Sequence, residues 1–170
     1  LTGAAELHLS NAEQASTVLR TNLSQLMMDK INIKAEVRDS VLYIDVPGNL
    51  PIEAVASFTI AAPELRKISI YGASQIETPD GQALSQPKLT LELNGAAKAD
   101  LQLAVTNLNI EAKGASKLEL DGSAENVEIA IAGAGKVDAE DLIVQNMHIN
   151  CAGASQAEVH VVRELWAQAA

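Results

Sequence analysis

Between residues 89 and 159 apolar and polar positions alternate in short runs, and the runs recur. Val127, Ile129 and Ile131 alternate with polar or small neighbours, and Leu118-Glu119-Leu120 repeats the pattern after a glycine. A period of two is the mark of strands that bury one face. Residues 89–107, 108–126, 127–146 and 147–164 are four copies of one unit, with 19, 19, 20 and 18 residues. Each copy has room for two alternating runs and an irregular return, but not for a crossover helix. Units this short cannot bury an apolar face alone, so they stack. The pattern predicts an all-β, single-stranded parallel β-helix with 18–20 residues per coil. Each strand would pair with its copy about 4.8 Å further along the axis.

Glycine punctuates the units. Gly72, Gly95, Gly114, Gly133 and Gly153 follow one another at steps of 23, 19, 19 and 20, and each precedes an alanine. A glycine there permits the positive φ of a sharp corner, and an alanine is small enough to stack where the coil is tight. Gly3-Ala4-Ala5-Glu6-Leu7-His8-Leu9 is the same phrase, which places the start of the coil at the first residues. Asn107, Asn126 and Asn146 close three units. Asparagine suits turns, and stacked asparagine amides can form a ladder.

The first third is less regular. Strands are expected over residues 16–20, 31–37, 41–46, 57–61 and 66–71. Asn22 is placed to cap a short helical turn over residues 23–28, and Pro47 and Pro51 bracket a loop. Residues 38–40 join two strands that are either a hairpin or two sides of one coil. Thr78-Pro79-Asp80-Gly81 reads as a turn pushed out of the coil, which accounts for the 23-residue step. Residues 165–170 open a fifth unit whose glycine would fall one position beyond the sequence. The expectation is one β-helix domain over residues 1–170 that lacks its C-terminal cap. Its exposed coil end would be open to a partner or to a second copy.

Composition narrows the function. Hydrophobic residues make up 48% of the 170, yet aromatics only 2%, which suits a narrow interior filled by Ala, Leu, Val and Ile. The formal charge is −10, from 22 acidic and 12 basic residues. No basic stripe exists to meet phosphates, so nucleic acid and anionic membranes are poor partners. One cysteine excludes an intrachain disulfide. No apolar run approaches the roughly 20 residues of a membrane span.

The phrase Gly-Ala-[Ser/Gly/Ala]-x-h-[Asp/Glu]-h, where h is apolar, follows strands about every 20 residues. In this it resembles the autotransporter adhesin, head GIN domain family. Asp29-Lys30-Ile31 through Val41-Leu42-Tyr43-Ile44 is similar to the N-terminal part of that family. The resemblance implies a right-handed parallel β-helix, exported to the bacterial cell envelope or beyond it, often as a lipoprotein. It implies adhesion and supplies no catalytic motif, so neither an enzyme nor a cofactor is expected.

Candidate chemistry lies on the outward columns. Five residues after each glycine come His8, Glu77, Asp100, Glu119, Asp138 and Glu158, and two positions earlier Glu6, Gln75, Lys98, Lys117, Lys136 and Gln156. Lys98, Asp100, Lys117, Glu119, Lys136 and Asp138 are therefore the candidate binding residues. An acidic column could hold a cation, or serve a pectinase-type lyase or hydrolase that needs two carboxylates of unequal pKa. The alternative is a solvated face on which lysines offset the acids. Cys151 falls in an inward column with Leu93, Ala112 and Ile131, as a packed hydrophobe, not a nucleophile. His148 falls outward with Thr90, Asn109, Glu128 and Trp166. His8, His148 and His160 share no column, which argues against zinc. Gly133-Ala134-Gly135 is a corner and not a phosphate loop, since no helix follows it. Trp166 and Tyr71 could stack on sugar rings, but so few aromatics give a sugar platform little support, and Trp166 could equally pack on a cap or a neighbouring chain. The leading expectation is a non-enzymatic surface module whose partner is an extracellular protein or glycan. Self-assembly through the coil end is a further expectation.

Overall fold

The computed structural model describes residues 1–24, 27, 31–47 and 54–170. Twelve strands lie among them: β1 (Glu6–Asn11), β2 (Ser16–Thr21), β3 (Lys34–Arg38), β4 (Val41–Asp45), β5 (Ala56–Ala62), β6 (Lys67–Gly72), β7 (Gln75–Glu77), β8 (Leu84–Gly95), β9 (Lys98–Gly114), β10 (Lys117–Gly133), β11 (Lys136–Gly153) and β12 (Gln156–Ala169). Ten form one sheet that winds into a β-solenoid of about five turns. Its main ladder runs β12-β11-β10-β9-β7-β1-β5-β2, with β6 and β8 stacked on another side of the coil.

The repeat copies pair in parallel and in register. Lys117, Glu119, Asn126 and Ile131 of β10 face Lys98, Asp100, Asn107 and Ala112 of β9 on one side. On the other side they face Lys136, Asp138, Asn146 and Cys151 of β11. The return expected to be irregular is strand as well. β9 pairs with β10 from Lys98 to Gly114, round the whole circuit. Completing the pairing leaves few backbone groups without a partner. The alternation slips by one residue at Thr106-Asn107, where two adjacent residues face solvent and the strand turns a corner.

Glycine is required at the other corner. Gly95 has φ +126°, and a Cβ built there would sit 2.4 Å from the Gly72 carbonyl oxygen. Each corner carbonyl thus occupies the space of its neighbour's missing side chain. Within the coil, Leu91, Ile110, Ile129 and Ile149 form one stack of buried side chains. Cys151 lies in its expected column between Ile131 and Ala169, half-buried.

The N-terminal end differs from the sequence reading. The phrase around Gly3 does join the coil, with Glu6, Leu7 and His8 facing Gln75, Ile76 and Glu77. It is not the outermost rung, however. β5 pairs in parallel with the other edge of β1, and β2 closes the stack antiparallel to β5. Thr2 bridges Tyr71 on one side and Asp45 on the other. Burial drives this ordering: β5 brings Phe58, fully buried, beneath Leu7 and plugs the interior with the chain's only phenylalanine. β3 and β4 form an antiparallel hairpin, which decides between the two expected arrangements. Its turn residues Asp39 and Ser40 have φ of 50° and 63°, as a two-residue primed turn requires. The helical turn expected over residues 23–28 and the loop over 47–51 fall largely outside the described residues. Asn22 Oδ1 accepts a hydrogen bond from the Val55 amide at 2.9 Å. The expected turn at Thr78-Pro79-Asp80-Gly81 is present, with Gln82 N donating to Pro79 O at 3.0 Å.

Candidate functional site

The charged columns form as expected and then pair among themselves. Lys98 Nζ lies 3.9 Å from Asp100 in its own rung and 3.5 Å from Glu119 in the next. Lys136 Nζ lies 3.8 Å from both Asp138 and Glu158. Lys117 bonds Glu119 directly. That hydrogen bond, with Lys98 nearby, holds the Glu119 carboxyl below the usual carboxylate range and raises Lys117. At the flanks, Gln75 donates to Glu77 at 3.1 Å and Gln156 to Glu158 at 2.7 Å. The lysines thus neutralise the stacked carboxylates diagonally from rung to rung.

Asp138, Glu140 and Glu158 bring one carboxylate oxygen each within 4.8 Å of one another. A cation would relieve their repulsion, but the Lys136 ammonium already stands against two of them. Asp121 lies in the same region of the face. Burial, then the charges of Asp141, Asp100, Asp138 and Glu119, push its carboxyl pKa upward. A raised carboxyl is what general acid chemistry uses, yet here it comes from burial first and then from a crowd of like charges along the face.

A second face is built from asparagine. Asn126 Nδ2 donates to Asn107 Oδ1 at 3.2 Å, and Asn146 Nδ2 to Asn126 Oδ1 at 3.0 Å. The expected ladder therefore exists, with Lys88 beside its first member and Glu164 beside its last. Two residues on from the ladder runs the column Thr90, Asn109, Glu128, His148, Trp166. His148 and Trp166 pack edge to face, with ring centroids 5.0 Å apart, and Trp166 remains 61% exposed. The ladder and the column from Asn109 to Trp166 together line an open groove of about 720 Å³ along the coil. The two-residue offset between them is readable in the sequence, but only once the register is fixed. Tyr71 is exposed in a different column, beside Asn94, so the two aromatic candidates do not form one platform.

A second groove, about 840 Å³, follows the glycine corner over Ala73, Ala96, Ala115 and Ala134, with Lys98, Lys117 and Lys136 along its rim. At the β5 end of the stack, His8 Nδ1 lies 2.7 Å from Glu77 Oε1, and His8 Nε2 lies 3.0 Å from Ser57 Oγ. Ser57 was not legible as a partner, because 49 residues separate it from His8 and β5 carries no Gly-Ala phrase.

A coil of parallel rungs whose side chains stand in columns, with open grooves along its outside, defines a solenoid of the kind that presents surfaces for binding. The chain belongs to the family described as "Putative auto-transporter adhesin, head GIN domain", whose model matches residues 3–170. Among solved structures, a "putative adhesin" from Bacteroides fragilis is similar over 99% of this chain and 89% of its own, with a TM-score of 0.69 and 17% identity. A "Putative lipid binding protein" from Parabacteroides distasonis is similar over 99% and 90%, with a TM-score of 0.63 and 11% identity. A "putative adhesin" from Parabacteroides merdae is similar over the same shares, with a TM-score of 0.54 and 12% identity. At these identities the likeness is one of fold. No protein of curated function matches the chain. Among the described residues no helix is long and apolar enough to cross a membrane.

Proposed function

We propose that this chain is a binding module displayed at the bacterial cell envelope, and that it holds neutral glycans along the asparagine groove. One observation carries the reading. Asn107, Asn126 and Asn146 form a continuous amide ladder beside Trp166, whose ring is exposed and braced by His148. Asn107 uses its carbonyl along the stack, Asn146 one N–H and Asn126 one of each, and all three keep further donor and acceptor capacity for solvent or a ligand. A ring with an apolar face beside such amides matches a sugar, which has a C–H face and a rim of hydroxyls. The charged columns favour this assignment indirectly. Their lysines and acids are already paired, so they serve solubility and register better than ligand capture. The same pairing weighs against a pectinase-type reading, which needs a free cation beside acids of unequal pKa. The family and the adhesins of similar fold support surface binding, and export with a lipid anchor is part of the same proposal.

The test is a glycan array probed with the intact chain and with Trp166→Ala. Binding to neutral glycans that is lost in Trp166→Ala supports the reading. Binding confined to sulfated or uronate glycans, or unaffected by that substitution, would overturn it.

A second reading, assembly through the coil end, is favoured by β12. Its one strand neighbour among the described residues is β11, and Val162 and Leu165 stay exposed on it. A molar mass from light scattering that does not rise with concentration would dismiss it.

A further inference from the structure

At the end of the coil away from Trp166, three rungs bring together a serine, a histidine and a carboxylate. Glu77 on β7 is the direct neighbour of His8 on β1. On the other side β5 places Ser57 two residues before Thr59, the neighbour of His8. The imidazole spans the gap, with Nδ1 2.7 Å from Glu77 Oε1 and Nε2 3.0 Å from Ser57 Oγ. When the Nδ1–H donates to the carboxylate, Nε2 is left to accept from the Ser57 hydroxyl. This is the order of nucleophile, base and base-orienting acid in serine acyl-transfer sites, which recur on unrelated folds.

The surroundings supply two further requirements. An open pocket of about 580 Å³ is lined by His8, Ser57, Thr59 and Arg20, with Val55 and Pro79 as its apolar walls. Arg20 is the cross-strand partner of Ser57 on β2, so its guanidinium is carried on the strand beside the hydroxyl. A positive charge there would stabilise an oxyanion forming at the attacked carbonyl. All three acting side chains stand on hydrogen-bonded strands, which fixes their relative positions better than loops would.

We propose that Ser57, His8 and Glu77 form an ester-reactive site for carboxylic esters. Ser57 Oγ bonds to the ester carbonyl carbon as its proton passes to His8 Nε2. The bond from that carbon to the alkoxy oxygen breaks, and the departing alcohol takes the proton from His8. Water then attacks the acyl carbon and yields a proton to His8. The bond to Ser57 Oγ breaks, Ser57 regains the proton, and the carboxylic acid leaves. One ester and one water give one alcohol and one acid. The site lies outside the asparagine groove and does not depend on a glycan binding there.

The experiment treats the intact chain with a fluorophosphonate probe, maps the modified peptide by mass spectrometry and measures p-nitrophenyl acetate hydrolysis. The expected result is label on Ser57 and turnover above the buffer rate. Ser57→Ala should abolish both, and His8→Gln should lower turnover by at least about 100-fold, the usual span of a general base, with an unchanged circular dichroism spectrum. A folded wild-type chain that stays unlabelled overturns the proposal, as does label on another serine. So does hydrolysis that survives Ser57→Ala. The wild-type labelling site carries the test even if a variant fails to fold.

Discussion

Asn146 Nδ2 donates to Asn126 Oδ1 at 3.0 Å, although 20 residues separate the two along the chain. That contact exists only because whole coils stack in register. Asn126 takes part in both bonds of the ladder, so Asn126→Ala breaks the pair at once. Both bonds are exposed, so the loss should be no more than about 1 kcal/mol of unfolding free energy. Urea titration should show a lower midpoint with an unchanged slope. Asn126→Asp keeps the acceptor toward Asn146 but loses the donor toward Asn107, and should fall between wild type and alanine.

Two glycines with positive φ should respond differently to alanine. At Gly95 the new methyl meets the Gly72 carbonyl oxygen at 2.4 Å, and its neighbouring rung is fixed on both sides. Gly95→Ala should cost at least about 3 kcal/mol, from backbone strain together with the clash. At Gly81, with φ +73°, a Cβ meets nothing within 4 Å. Gly81→Ala should cost about 1 kcal/mol, the price of the left-handed conformation alone. Thermal melts of the two variants side by side decide the matter.

The acids of the outer face set opposite pH dependences. Burial and like charges raise the Asp121 pKa in the folded chain. Its contribution to stability is therefore present below its unfolded pKa and lost as pH rises through the folded value. Asp121→Asn should raise the melting temperature near neutral pH, by the equivalent of about 0.5 kcal/mol for relieved like-charge contacts. The gain should vanish in acid, where Asp121 carries a proton.

Glu92 behaves the other way. Its hydrogen bonds from Lys67 and then Ser69 lower its folded pKa. Its contribution is present above the unfolded pKa and lost as pH falls through the folded one. Lys67→Met should flatten this acid limb, seen as a smaller fall in melting temperature between neutral and acid solution.

Much of the coil was legible because its determinants are local and repeated. The glycine steps fixed the corners, and the alternation fixed which side chains turn inward. Together they placed Asn107 beside Asn126, and Cys151 beside Ile131 and Ala169. The N-terminal order was not legible, because rung order in space does not follow order along the chain. β1 sits between β7 and the later β5, and the residues of β5, ASFTIAA, lack the corner phrase. Gln86 illustrates the same limit. It takes an inward position beside Val105, buried, and is accommodated because its amide donates to Asn11 Oδ1 at 3.1 Å. No pattern announces a partner 75 residues away. The face proposed for binding was half legible: the ladder and Trp166 were each visible, but their shared groove required the register.

That register is open to direct measurement. Glu111 and Ala130 are neighbours on adjacent rungs, and both are exposed. Cysteines introduced at both positions in a Cys151→Ala background, each labelled with pyrene, should give strong excimer fluorescence that persists on dilution and disappears on unfolding. A folded, doubly labelled chain that shows only monomer emission would contradict the in-register parallel stack, and with it every column assigned above.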